Sequence, residues 1–256
     1  MDDKTLNQLL AEFAPITLEE MESVKLMNRV DTKFVTSLSK LASILELAKE
    51  DYYAQEIEGV RINKYDTLYY DTPELTMYTQ HHDRRMVRQK VRIRTYVESD
   101  GLTFLEIKNK NNKGKTKKKR IVVSDQQVIL NPTEEVTEFM NKRCWYDWPH
   151  LLPELRTAFS RITLVNKGKT ERLTIDLHLL WSNLQTGQDK TFENMVIIEL
   201  KRDGNSPSPM LGIMNKLRIK PLKISKYCVG TALTNPNVKR NRFKLKIHKI
   251  EKLTAQ

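Results

Sequence analysis

Five short stretches of the chain set charged side chains two residues apart: Arg29-Asp31-Lys33, Lys90-Arg92-Arg94, Glu106-Lys108-Lys110, Arg172-Thr174-Asp176 and Glu199-Lys201. In an extended strand, residues i, i+2 and i+4 share one face. Each stretch therefore lines up cations, usually with a carboxylate, on one side of a sheet, and the residues between are mostly apolar. A solvated face usually mixes Thr, Ser, Gln and Glu with Lys; here Arg or Lys flanks a single acid. Arginine grips phosphate bidentately and lysine acts as a point charge. Carboxylates set among them, Glu106, Asp176 and Glu199, suit Mg²⁺ or Mn²⁺, which prefer oxygen ligands. The chemistry this pattern points to is binding of a polyanion together with a metal ion.

If the sheet closes into a barrel, the apolar faces pack outward on helices and the charged faces point inward. Such an interior repels itself when empty of anions, since desolvated like charges are costly. Phosphates with a divalent cation relieve both problems. In the run 113–120 (KGKTKKKR), Lys118 and Arg120 share a face if the run is strand, which ties them to the interior. The other lysines then form an electrostatic funnel at its mouth.

The elements that would position these side chains follow from periodicity and turn chemistry. Two short helices reach about Lys25, the second opened by Thr17 with Glu20 as a capping box. Residues 28–36 alternate as a strand, and Leu41, Ile44, Leu45 and Ala48 give 37–49 a helical period. Residues 53–70 hold two strands about Glu58-Gly59, ended by Asp71-Thr72-Pro73. Residues 84–123 read as three strands turning at Ser99-Asp100-Gly101 and at Asn111-Asn112-Lys113-Gly114. A helix opens at Asn131-Pro132 and runs to about Lys142. Strands follow at about 155–165, 171–181 and 192–201, and Ser206-Pro207 opens a further helix that stops before Lys220-Pro221. About eight strands joined mainly by short turns, with three or four helices, make an antiparallel α+β design. Residues 1–235 read as one domain, and 236–256 as a basic C-terminal tail, either a solvated helix or a disordered end.

The formal net charge of +12 over 256 residues points to an anionic partner. Two cysteines and five scattered histidines exclude a disulfide framework and a zinc cluster. No apolar run is long enough for a membrane span, and the N-terminus lacks a signal-peptide layout, so the expected location is cytoplasmic. Base stacking would need aromatics among the basic residues; 84–94 and 108–120 contain none, which argues against nucleic acid.

At these residues the sequence resembles the VTC domain, the polyphosphate polymerase branch of the triphosphate tunnel metalloenzymes. The matching pieces are Arg29-Val-Asp-Thr-Lys33-Phe, Leu68-Tyr-Tyr-Asp-Thr-Pro73, Val91-Arg-Ile-Arg94, Leu105-Glu-Ile-Lys108, Lys118-Lys-Arg120, Phe159-Ser-Arg161, Thr174-Ile-Asp176, Ile198-Glu-Leu-Lys201 and Lys223-Ile-Ser-Lys226-Tyr. They run in family order across about 200 residues. The resemblance implies an eight-stranded antiparallel barrel, a tunnel that grips a triphosphate and a divalent metal, with flanking helices. It implies transfer of the γ-phosphate of ATP to a growing chain of inorganic polyphosphate, with Mn²⁺ or Mg²⁺ as cofactor. Lys33, Arg92, Arg94, Lys108, Arg161, Lys201 and Lys226 would grip the reacting phosphates, and Arg29, Lys118, Arg120, Arg172, Lys223 and Ser225 would extend the substrate site. Lys118 and Lys119 compete for one place, because loop length decides which faces inward. Glu199 would be the metal carboxylate, with Glu106 and Asp176 as further candidates.

Asp31 and Phe34 replace the commoner Glu and Tyr, and Phe159 stands where an aromatic hydroxyl is often seen. The eukaryotic subunits also carry a regulatory SPX-type domain and membrane spans; this chain reads as a stand-alone bacterial type whose membrane channel, if used, is a separate protein. A tripolyphosphatase or nucleoside triphosphatase on the same tunnel, and a non-catalytic polyphosphate binder, remain the alternatives. Tunnel hydrolases usually carry Glu-x-Glu-x-Lys where this chain reads Arg29-Val-Asp31-Thr-Lys33, which favours synthesis.

Overall fold

The computed structural model describes residues 2–22, 29–204 and 206–255. Its strands are β1 (Ala14–Ile16), β2 (Arg29–Ser37), β3 (Tyr52–Gln55), β4 (Asn63–Asp71), β5 (Arg88–Tyr96), β6 (Leu102–Lys110), β7 (Thr116–Val123), β8 (Leu152–Asn166), β9 (Glu171–Asn183), β10 (Asp189–Thr191) and β11 (Met195–Asp203). Its helices are α1 (Asp3–Ala11), α2 (Leu18–Glu22), α3 (Leu38–Ala48), α4 (Thr76–His82), α5 (Glu134–Arg143), α6 (Pro209–Lys216), α7 (Lys226–Thr234) and α8 (Lys244–Thr254).

Eight strands form one antiparallel path, β2-β11-β9-β8-β4-β5-β6-β7. Among the described residues its two ends do not pair, so the closed barrel expected from the sequence is corrected to an open sheet. The reason lies at both edges. The free edge of β2 is taken by irregular chain, with Phe34 bridged to Pro221 and the Leu222 amide donating to the Lys33 carbonyl at 2.7 Å. At the other end β7 presents exposed lysines 117–119, whose mutual repulsion protects an unpaired edge.

Alternation along each strand splits the sheet into two faces. On the outer face, Phe34, Ile162, Leu164, Leu173, Ile175, Ile198 and Leu200 pack under α1, α3 and α6. Farther along, Leu68, Val91, Ile93, Leu105 and Ile107 pack under Val136 and Met140 of α5. Burying these aliphatic side chains is the main force holding the sheet to its helices, at about 25 cal/mol per Å² of apolar area. The inner face divides between charge at one end and an apolar plug at the other. Val35, Leu155, Leu179, Trp181 and Ile197 meet α7, where Gly230 allows close approach: an added Cβ would lie 2.3 Å from the Trp181 ring.

A bulge makes that division possible. Asp176 pairs with Arg161, but the register between β8 and β9 shifts between Ala158 and Ser160. His178 on the opposing strand has φ +53°, so two residues of β9 face one of β8. Inward-pointing parity passes from even numbers (Thr174, Asp176) to odd ones (Leu179, Trp181).

Several local readings shift. The capping box is present, with Thr17 and Glu20 exchanging backbone and side-chain bonds of 2.9 and 3.2 Å; the expected continuation of that helix to Lys25, and Asn28 at the start of the first strand, lie outside the described residues. The cap of α5 is Thr133, which accepts from the Val136 amide, so Asn131 and Pro132 precede the helix. Similarly Ser208 caps α6, with Pro209 at its first turn. The two strands about Glu58-Gly59 do not pair with each other: β3 joins β1 in parallel and β8 antiparallel. The basic C-terminal segment is no loose tail, since Phe243 and Ile250 are buried against the apolar plug.

Candidate functional site

Cross-strand register assembles the site. Residues directly opposite in antiparallel strands point the same way, and the inner face reads Lys33 opposite Glu199, Lys201 opposite Arg172, Asp176 opposite Arg161, Arg92 opposite Glu106, and Lys108 opposite Lys118. Lys226 arrives from the first residue of α7. The seven residues expected to grip phosphate therefore converge on one concave face. The register also resolves Lys118 against Lys119: Lys118 points inward and pairs with Glu106 at 3.1 Å, whereas Lys119 lies opposite outward-facing Ile107.

The carboxylates are held in two ways. Glu106 is fully buried and takes Arg92 on one oxygen, at 2.7 Å from Nε and 2.5 Å from Nη2, and Lys118 on the other. Asp176 takes Nε and Nη2 of Arg161 at 2.5 and 2.8 Å and also accepts from Lys226. Burial opposes ionisation of both acids, but Arg92 beside Glu106 and Arg161 beside Asp176 outweigh it and hold each carboxyl well below its usual range. Glu199 is different. Its side chain is 22% exposed and its partners are two lysines, Lys33 at 2.8 Å and Lys201 at 3.3 Å.

Two cations have no such partner. Arg94 is buried, and among the described residues it makes no ion pair; its Nε donates to Thr67 Oγ1 at 3.0 Å. Its guanidinium lies over the stacked rings of Tyr65 and Phe159, 5.5 and 5.8 Å from their centres. Burial, then Arg92 and Arg161, lower its proton affinity. Lys108 has no ion-pair partner among the described residues either, and burial with Arg92 and Arg94 pushes its ammonium well below the usual range. Burial also pulls Lys226 down to about 8 against the field of Asp176. A concave face holding unmatched cations is built for an anion.

The remaining expected residues, Arg29 apart, lie toward the same cleft. Arg120 stacks on Phe104 at 4.2 Å. Ser225 accepts from Lys90 at 2.8 Å, which ties the chain beside β2 to β5 across the cavity. Lys223 lies close enough to lower the Lys110 ammonium. Arg172 sits opposite Lys201, and Arg29 opens β2 with its side chain outside the described part. Sequence reasoning missed the uncharged members. Tyr65, Thr67 and Tyr69 of β4 face inward opposite Tyr96, Arg94 and Arg92, and Thr174 presents a buried hydroxyl with no protein partner among the described residues. Their period-two spacing is visible in the sequence but carries no charge to mark it.

For a divalent cation, Glu199 is the acid whose surroundings fit. It is part-exposed and its two oxygens are held by ammonium groups alone, whereas Glu106 and Asp176 are each held by a guanidinium as well. Among the described residues no three His, Cys, Asp or Glu side chains cluster, so phosphate oxygens and water would have to complete an octahedral shell.

The VTC domain model matches residues 28–235. No curated protein matches the sequence. Among solved structures, the chain is similar to a candidate adenylate cyclase from Bacillus halodurans, with 16% identity and a TM-score of 0.48 over 78% of this chain and 96% of that one. A candidate adenylate cyclase from Vibrio parahaemolyticus gives 10% identity and 0.48 over 80% and 99%. A candidate adenylyl cyclase from Hippeastrum, described as having a dominant triphosphatase activity, gives 13% and 0.47 over 80% and 96%.

Proposed function

The chain belongs to the VTC domain family, and from that premise we propose that it is a polyphosphate polymerase, transferring the γ-phosphate of ATP to a chain of inorganic polyphosphate. Family membership supports a phosphate-related function in general; the inner face supports the finer reading. The observation that carries it is Arg94, a buried guanidinium aimed into the cleft with a hydroxyl and two aromatic rings around it and no ion pair among the described residues.

The residues divide the work by position. Arg94, Lys108 and Arg92 hold phosphate oxygens from the β5–β6 wall, and Lys33, Lys201, Arg161 and Lys226 hold them from the opposite wall. Held in line between two cationic walls, donor and acceptor phosphates lose their mutual repulsion and most of the entropy of encounter. A Mn²⁺ or Mg²⁺ ion on Glu199, when bound, would neutralise charge on the leaving diphosphate. The acceptor is a terminal phosphate already anionic near neutral pH, so no strong general base is required.

Incubation with ATP and Mn²⁺ or Mg²⁺, followed by sizing of the phosphate products, tests the proposal. Long polymer supports it. Orthophosphate alone makes the chain a triphosphatase, and salt-sensitive binding without turnover makes it a polyphosphate binder.

A further inference from the structure

Tyr69 is the one inward-facing group near Arg92 and Arg94 that the reading above leaves without a role. It sits in β4 opposite Arg92, 5% exposed. Its ring stacks on Tyr227 of α7 with centres 5.2 Å apart. Its oxygen accepts from Arg92 Nη1 at 3.3 Å. Among the described residues nothing accepts the phenolic proton. A buried hydroxyl with its lone pair used and its hydrogen unmatched is unusual, because burial without the bond is costly.

The groups around it are almost all cationic. Arg92, Arg94 and Lys90 come from β5 and Lys226 from α7, while Glu106 on β6 is already bound to Arg92 and Lys118. Burial works against ionisation of the phenol, yet the field of these four cations outweighs it and brings the hydroxyl down to about 8. A strong donor near the unmatched Arg94 guanidinium is a second phosphate-gripping element. On β4 it lies opposite Leu155, two inward positions along from Tyr65, which faces Phe159.

We propose that Tyr69 is a substrate-binding residue whose phenolic hydroxyl donates to a non-bridging oxygen of the bound phosphate chain. This rests on the cleft being a phosphate site and holds for polymerase, triphosphatase or binder alike. The donor is the neutral phenol; the phenolate would repel the ligand, and a bound phosphate must in turn keep the proton on.

The test uses the full chain, inorganic tripolyphosphate and the Tyr69→Phe variant, which keeps the ring and its stacking on Tyr227. At pH 7 affinity falls about tenfold, the cost of one hydrogen bond to a charged group. In the wild type at pH 8.5–9, adding tripolyphosphate lowers tyrosinate absorbance; the variant lacks that change. Lys226 and Lys108 titrate in both proteins, so the difference between them isolates the phenol. Affinity within twofold of wild type, or a ligand-induced loss of tyrosinate absorbance that persists in the variant, would overturn the proposal and leave Tyr69 as core packing. Failure to make polymer from ATP would not bear on it, since tripolyphosphate binding is read without turnover.

Discussion

On the β5–β6 wall, Glu106 is wholly out of solvent under the fork of Arg92, whereas on the β2–β11 wall Glu199 keeps 22% of its side chain exposed between two lysines. Both acids belong to an alternating strand and both face the same cleft. The difference is in what holds them. The planar guanidinium of Arg92 brings two N–H groups to one oxygen of Glu106 in fixed geometry, so the two form a unit that can be broken only by leaving a buried charge alone. Ammonium groups on four-carbon stems make single bonds and move, so the lysines can leave Glu199 when phosphates arrive. One acid is a structural counter-ion; the other is exchangeable.

That contrast can be broken most sharply by removing each acid. Glu106→Ala should lower stability by about 3–5 kcal/mol, because Arg92 loses its partner in the interior. Glu199→Ala should change stability by less than about 1 kcal/mol and abolish metal-dependent turnover. Chemical denaturation of the two variants reads the first effect and product sizing the second; equal destabilisation would dissolve the distinction.

The next largest effect is expected at Arg94, one of the two gripping cations that make no ion pair among the described residues. Arg94→Met should weaken tripolyphosphate binding by about 2–3 kcal/mol, some 30- to 150-fold, while the melting temperature of the ligand-free protein stays level or rises. Calorimetry and thermal unfolding on one sample check both, and a large fall in melting temperature would mean that the guanidinium is structural after all. At the apolar end, Gly230→Ala should cost about 1–3 kcal/mol through overpacking on Trp181 and Leu155, with a smaller effect on phosphate affinity than Arg94→Met.

The smallest expected effect is a pH slope. Lys226 has a folded value near 8, below its usual range, and Tyr69 likewise. Between about pH 8 and 10 the unfolded chain therefore binds more protons than the folded one, so ligand-free stability should rise with pH in that window. Tripolyphosphate affinity should fall over the same window as the ammonium is lost. Glu106 and Asp176 work with the opposite reach: their depressed values give stability that is present at and above the ordinary carboxylate range and is lost as pH falls below it.

The inner face was legible because charge at spacing two needs only a strand to become a surface, and five strands gave the same message. Lys33, Arg92, Arg94, Lys108 and Lys201 all face the cleft for that reason, whereas Arg161 was marked by the family resemblance alone. Other features left no local trace. Helix α7 has the sequence KYCVGTALT, too short and too rich in β-branched residues and glycine to declare itself, yet it delivers Lys226 and plugs the apolar end. Helix α4 is shorter still, and it forms where buried Asp71 accepts from the Met77 and Tyr78 amides at 2.8 and 2.9 Å while Tyr227 donates to the same carboxyl. Such a junction between distant segments has no periodic signature. The open edge between β2 and β7 is equally non-local, set by where Pro221 lands on Phe34.

The extra residue at His178 makes β9 behave like a message with a reading frame. Upstream of it, even-numbered positions write the chemistry of the cleft; downstream, odd-numbered positions write its hydrophobic floor. Straightening the strand with that residue still in place would transpose the meaning of its distal half, turning Leu179 and Trp181 toward solvent and Leu180 and Ser182 toward α7, whereas deleting it would remove the bulge and keep them inward. Point substitutions along this strand are edits to single letters, while a residue inserted or deleted outside the bulge is a frameshift in the folded protein.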